Sequence, residues 1–174
     1  MTPLEQFLLR AEALLQRVEA VLPPSYPREP DWKRSFAFRW RKRTSGGASY
    51  LQPVMHVSPI SLDDLHNISA QKQQIEQNTR QFVQGRPANN VLLTGARGTG
   101  KSSLIKACLN QFAASGLRLI EVDKMDLADL PDIVDLIAGR PERFVIFCDD
   151  LSFEEGEAGY KALKVALDGS IAAP

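Results

Sequence analysis

Between Thr94 and Ser103 the chain reads TGARGTGKSS, and these residue types at this spacing suit the holding of a polyphosphate. Gly95, Gly100, Lys101 and Ser102 meet the pattern GxxxxGK[ST] directly after the apolar run Val91-Leu92-Leu93. The loop is therefore predicted to join a strand to a helix, the context in which the pattern has a mechanism. Glycines let the backbone wrap so that successive N–H groups face an anion. A helix opening at Lys101 adds free N–H groups and the positive end of its dipole. The stretch Gly95, Ala96, Arg97, Gly98, Thr99, Gly100, Lys101, Ser102 and Ser103 is the candidate nucleotide-binding loop. Lys101 is expected to reach the β- and γ-phosphates of ATP, and the Ser102 hydroxyl to take a place on Mg²⁺. Arg97 would touch phosphate or a neighbouring subunit, or simply face water. The alternative for the whole loop is a strand-to-helix turn that uses its glycines only for packing.

Breaking a phosphate bond needs a held metal and an aimed water. The candidates lie in RFVIFCDDLSFEEGE, where the apolar strand Phe144 to Cys148 ends in two carboxylates. Ligands of open α/β sheets gather at such C-terminal strand ends. Asp149, 48 residues after Lys101, is the metal candidate. Asp150 is the candidate base, with Glu154 as the alternative, and Glu155 lies beside it. The competing reading is that the acidic pair only caps a following helix.

These groups need elements to hold them. Leu104, Ile105, Cys108, Leu109 and Phe112 give a helix over 101–114 one apolar face. Strands are predicted at 91–94, 117–122 and 143–148, with helices at 131–138 and 156–167. Apolar strands alternating with helices indicate an α/β domain whose parallel sheet is covered on both faces. Ser69 can cap a preceding helix with Ile75, Thr79, Phe82 and Val83 inside and Gly85 as its stop. At the N-terminus, TPLE reads as a capping box. Leu4, Phe7, Leu8, Ala11, Leu15, Val18 and Leu22 then keep helical spacing, which predicts an amphipathic helix over 3–22. PPSYPREP makes a stiff linker. The domain reading is thus a helix at 1–22, a linker and arm at 23–59, and a nucleotide-binding part at 60–174.

Within the arm, residues 33–43 carry six cations and no acid, and Phe36, Phe38 and Trp40 alternate with Ala37, Arg39 and Arg41. Such a strand can track a nucleic-acid backbone. The preferred reading is an edge strand or arm that docks its aromatics on the domain and leaves its arginines wet. The four aspartates at 123, 126, 129 and 132 read as a solvated acidic face. Over all 174 residues, 21 basic groups balance 21 acidic ones, so no global field argues for nucleic acid or membrane. No apolar stretch approaches ~18 residues, and Glu5 is out of place in a signal peptide. Cys108 and Cys148 stand apart and read as buried small hydrophobes. His56 and His66 lack ligand partners at useful spacing. A cytoplasmic protein is expected.

PANNVLLTGARGTGKSSLIKA, FVIFCDDLSFEEGE and YKALKVALDG resemble a bacterial group of predicted ATPases within the AAA+ superfamily, domain-of-unknown-function family 815. The likeness runs from about residue 36 onward, and DDLSFE is its most specific part. It implies a P-loop NTPase fold with ATP and Mg²⁺ as cofactors, and hydrolysis coupled to remodelling of a protein or nucleic-acid partner. It also implies assembly into rings. Asp149 and Asp150 take the place of the Asp-Glu pair usual in AAA+ proteins, and the segment around Ile60, Leu65 and Ile68 matches the adenine pocket. AAA+ sheets are ordered 5-1-4-3-2, and no fourth strand, sensor residue, arginine finger or helical lid is legible before Pro174. The resemblance thus implies a truncated part of a longer ATPase, poorly stable alone, with strands 1 and 3 lacking their common neighbour. A nucleotide-dependent binding module without useful hydrolysis is the second expectation. A P-loop kinase is the third, although no acceptor-binding element is legible.

Overall fold

The computed structural model describes residues 2–21, 30–42, 48–152 and 163–164. It is a mixed α/β fold built on a four-stranded sheet. The elements run α1 (Pro3–Val21), β1 (Ala37–Arg41), β2 (Tyr50–Pro53), α2 (Ser69–Val83), α3 (Lys101–Phe112), β3 (Leu117–Glu121), α4 (Leu130–Ile137) and β4 (Arg143–Phe147). Spatial order in the sheet is β2-β1-β3-β4. β1 lies antiparallel to β2 and parallel to β3, which is in turn parallel to β4.

Alternation along the strands divides the core. On one face Phe38, Trp40, Ile120 and Val122 meet Leu127, Leu130 and Ile133 around α4. On the other, Ala37, Leu117 and Leu119 meet Leu109 and Phe112 of α3. α3 has a second buried side, where Leu104, Ala107 and Cys108 pack on Ile75 of α2 and on Leu62. α3 is thereby clamped between sheet and α2, which fixes the direction of its N-terminus. Gly85, at φ 71°, ends α2, and the Arg86 N–H returns to the Gln81 carbonyl at 2.9 Å, the long closing bond of a Schellman turn.

Several expectations need correction. The strand predicted at 91–94 is absent: residues 91–94 are in no ladder, and Val91 and Leu92 are 47% and 76% exposed. A strand persists only where its N–H and C=O groups find partners, and among the described residues neither edge strand, β2 or β4, pairs with this segment. The arm is not an edge strand, since β1 sits between β2 and β3. β2 itself was not foreseen. Ser69 does not cap α2: Ile68 is the N-cap, with no side-chain hydrogen bond. The strands at 117 and 143 end one residue sooner than expected, and a 3₁₀ turn over Lys124–Asp129 leads into α4. The helix predicted at 156–167 lies outside the described residues except Leu163 and Lys164, which are helical. Glu154 and Glu155 lie outside them too.

Of the four aspartates read as a solvated face, Asp123 and Asp132 are exposed, whereas Asp126 and Asp129 are partly buried in ion pairs. Arg39 Nε meets Glu121 at 2.7 Å, Arg41 meets Asp123 at 3.3 Å, and Lys42 meets both Asp126 and Asp129 at 3.1 Å. The Trp40 indole N–H donates to Asp129 at 2.9 Å. The cations of β1, and Lys42 just after it, thus pair within the fold, with Glu121 at the end of β3 and with the acidic turn that follows. Hydrogen bonds that Lys42 donates to Asp129 and Asp126 raise its pKa above the ordinary value. No helix among the described residues is long and apolar enough to cross a membrane.

Candidate functional site

The loop from Gly95 to Gly100 leads directly into α3. Gly100 is the N-cap in a left-handed conformation, φ 87°, and no side chain caps the helix. The first helical bond runs from Leu104 N–H to the Gly100 carbonyl at 2.8 Å. The N–H groups of Lys101, Ser102 and Ser103 precede that bond, so they are the unsatisfied donors of the first turn. Gly98, at φ 81°, gives the loop a second such bend, and Gly95 also has a positive φ, 136°. A Cβ at Gly98 or Gly100 would meet nothing within 4 Å; backbone conformation, not space, is what demands glycine there.

Side chains close the loop on itself. Lys101 Nζ donates to the carbonyls of Gly95 at 2.9 Å and Ala96 at 2.8 Å. The ammonium is held across the loop by two acceptors, with one donor left to spare. Thr99 Oγ1 also donates to the Ala96 carbonyl, at 2.8 Å, a role the motif does not announce. Residues 94–99 are exposed, Arg97 among them, while Lys101, Ser102 and Ser103 are half-buried.

The acidic pair stands where the sequence puts it, just past the end of β4. Ser102 Oγ donates to Asp149 Oδ2 at 2.7 Å, joining two residues 47 apart. The second carboxylate oxygen of Asp149 accepts the Asp150 N–H at 3.0 Å. This bond accompanies a left-handed Asp150, φ 50°, a conformation aspartate tolerates better than most residues. Both carboxylates are exposed. Parallel pairing carries β3 and β4 in step from Leu117 opposite Arg143 to Glu121 opposite Phe147, so Asp123 follows β3 as Asp149 follows β4. Burial first, then the charges of Asp123 and Asp149, push the Cys148 thiol above its ordinary pKa. That strand end is an electronegative place that favours a cation.

Ser102 and Asp149 offer a hydroxyl and a carboxylate, the hard oxygen donors Mg²⁺ prefers. Among the described residues no three His, Cys, Asp or Glu side chains gather as a metal site. An ion held here would have two protein ligands and fill its shell with water and phosphate oxygen, which suits Mg²⁺ better than zinc. The free N–H groups at the start of α3 and the Lys101 ammonium suit a phosphate. The residues present therefore fit a phosphate group and Mg²⁺.

Supports that sequence reading missed lie behind the loop. The Asn78 amide both donates to the Asn89 carbonyl, at 2.8 Å, and accepts the Asn89 N–H, at 2.9 Å. That pair ties α2 to the segment entering the loop, and the NN at 89–90 was its only trace in the sequence. Asn110 donates to the Ser58 and Ile60 carbonyls, each at 2.8 Å. Ile60, Leu65 and Ile68, the segment that the resemblance sets at an adenine pocket, are with Leu93 partly buried against the α2–α3 cluster.

The profile of the family described as "Protein of unknown function (DUF815)" matches residues 33–174. This range holds β1, the glycine loop and the acidic pair, and leaves α1 outside. No curated protein and no solved structure matches the chain.

Proposed function

The chain belongs to the DUF815 family, and on the geometry of its loop we propose that it binds ATP together with Mg²⁺. The observation that carries this reading is the 2.7 Å hydrogen bond between Ser102 and Asp149. A turn that used glycine only for packing has no reason to meet a carboxylate 47 residues away. In this reading the N–H groups of the loop and of Lys101 to Ser103 hold the phosphates, and Lys101 gives up its loop carbonyls to reach them. Ser102 and Asp149 hold Mg²⁺, which when bound neutralises phosphate charge and orients the transferring group.

We further propose hydrolysis, within a P-loop NTPase of AAA+ type that remodels a partner. Asp150 is the residue to polarise the attacking water, with Glu154 as its alternative. A second reading, nucleotide-dependent binding without useful turnover, is favoured by the left-handed, exposed Asp150. Its backbone already donates to Asp149, and no described residue orients its carboxylate.

Titration with a fluorescent ATP analogue tests the site. Lys101→Ala should weaken binding by at least about tenfold, as loss of a charged hydrogen bond does. Undiminished binding would sink the assignment. Asp149→Asn should remove the Mg²⁺-dependent part of the affinity and leave the rest. Asp150→Asn should keep binding and abolish phosphate release. Release that survives the change moves the base to Glu154, and negligible release by the unaltered chain supports the second reading.

A further inference from the structure

α1 lies outside the family match, and its apolar face is uncovered. Leu4, Phe7, Leu8, Leu14 and Leu15 are 56–68% exposed. Among the described residues, none of the three core clusters includes a residue of this helix. The spacing of the face is specific. Leu4, Leu8, Ala11, Leu15 and Val18 follow one another by four, three, four and three residues. That is the 3.5-residue period by which one helix supercoils along another. Phe7 and Leu14 widen the stripe on one side.

The charges bordering the stripe identify the partner. At 3.5 residues per turn, Glu5 and Glu12 run along one border and Arg10 and Arg17 along the other. Two such helices laid face to face in parallel bring the glutamate border of each against the arginine border of its mate. Laid antiparallel, they bring glutamate against glutamate and arginine against arginine. A lipid surface suits the helix poorly. Interfacial helices carry lysine and arginine on their polar face, whereas this one has three acids against two arginines and no lysine. We propose that α1 is a self-association helix, covered by α1 of a second copy of this chain in parallel orientation.

Sedimentation equilibrium of the whole chain over a concentration series should give a mass of two or more copies. Leu8→Glu with Leu15→Glu should weaken association by at least about tenfold, because it puts carboxylates into the apolar seam. Arg10→Glu with Arg17→Glu should weaken it too, since glutamate would then face glutamate. Circular dichroism and thermal unfolding should show the α/β body of both variants unchanged. Orientation is read from Leu4→Cys in a Cys148→Ser background, the remaining Cys108 being buried. Oxidation should link position 4 to position 4, which antiparallel helices would hold far apart. A single-chain mass at every concentration would overturn the proposal, as would association that survives the Leu8 and Leu15 changes. Failure of the position-4 link, or indifference to the arginine reversal, would overturn the parallel arrangement. A single-chain mass with partition onto phosphatidylserine vesicles would assign the face to lipid instead.

Discussion

At the scale of single residues, Gly100 carries more of the site than its missing side chain suggests. It caps α3 in the left-handed region with open space around it, so Gly100→Ala isolates the cost of conformation. That cost should be about 1–2 kcal/mol, seen as a lower denaturant midpoint with an unchanged slope. An unchanged midpoint would mean that the loop adopts some other path into the helix. The residues of this site were unusually legible. Gly95, Lys101 and Ser102 are tied to one another by a short fixed spacing, and Asp149 by its place at the end of an apolar strand. Thr99 and the Asn78–Asn89 pair were not legible, because a lone hydroxyl or amide has many local uses and its partner is set only by the fold. Asp150 is legible by type alone. Its backbone conformation, which decides where its carboxylate stands, leaves no mark in sequence.

At the scale of elements, the β1 strand shows what period-two patterning conveys and what it omits. Alternation identified the strand and its buried Phe38 and Trp40, but pairing partners are not local information. A reader of the sequence has no means of knowing that β1 is flanked on both sides, or that its cations meet the acidic turn after β3. The strand at 91–94 was misread for the mirror reason: apolar residues alone do not make a strand, and these four pair with no strand among the described residues. The Lys42 pairing gives a test with a defined sign. Asp129 and Asp126 raise its pKa from the ordinary 10.5. The stabilisation is therefore fully present below about pH 10.5 and is lost as pH rises through the higher folded value. The stability difference between the unaltered chain and Lys42→Met should be flat from neutral pH to about 10 and shrink above it. Lys42 is half exposed, so the difference should be small and should fall with added salt. A difference that grew at high pH would contradict the pairing.

At the scale of the whole molecule, order should be uneven across the sheet. β1 and β3 are paired on both sides, whereas β4 is paired only with β3 among the described residues, and its apolar residues are only half-buried. Amide hydrogen exchange should therefore be slowest in β1 and β3, and fast at residues 91–94, whose exposed backbone lies in no ladder. ATP analogue with Mg²⁺ should slow exchange first in the loop and at Asp149 and Asp150, the two sides that Ser102 joins. Strong protection at 91–94 without nucleotide would show that this segment pairs after all. The architecture was legible as helices alternating with strands, while strand order was not, because it depends on which edges are open. The central position of β1 also bears on how the chain is made. Phe38 lies opposite Ile120, so on a ribosome the strand must wait for some eighty further residues. At about 5–20 residues per second, that is roughly 4–16 s in which an arginine-rich aromatic segment has only β2 beside it and no partner on its other edge. Its alternating cations then act as guards, keeping Phe36, Phe38 and Trp40 from premature sticking until the acidic turn emerges to meet them.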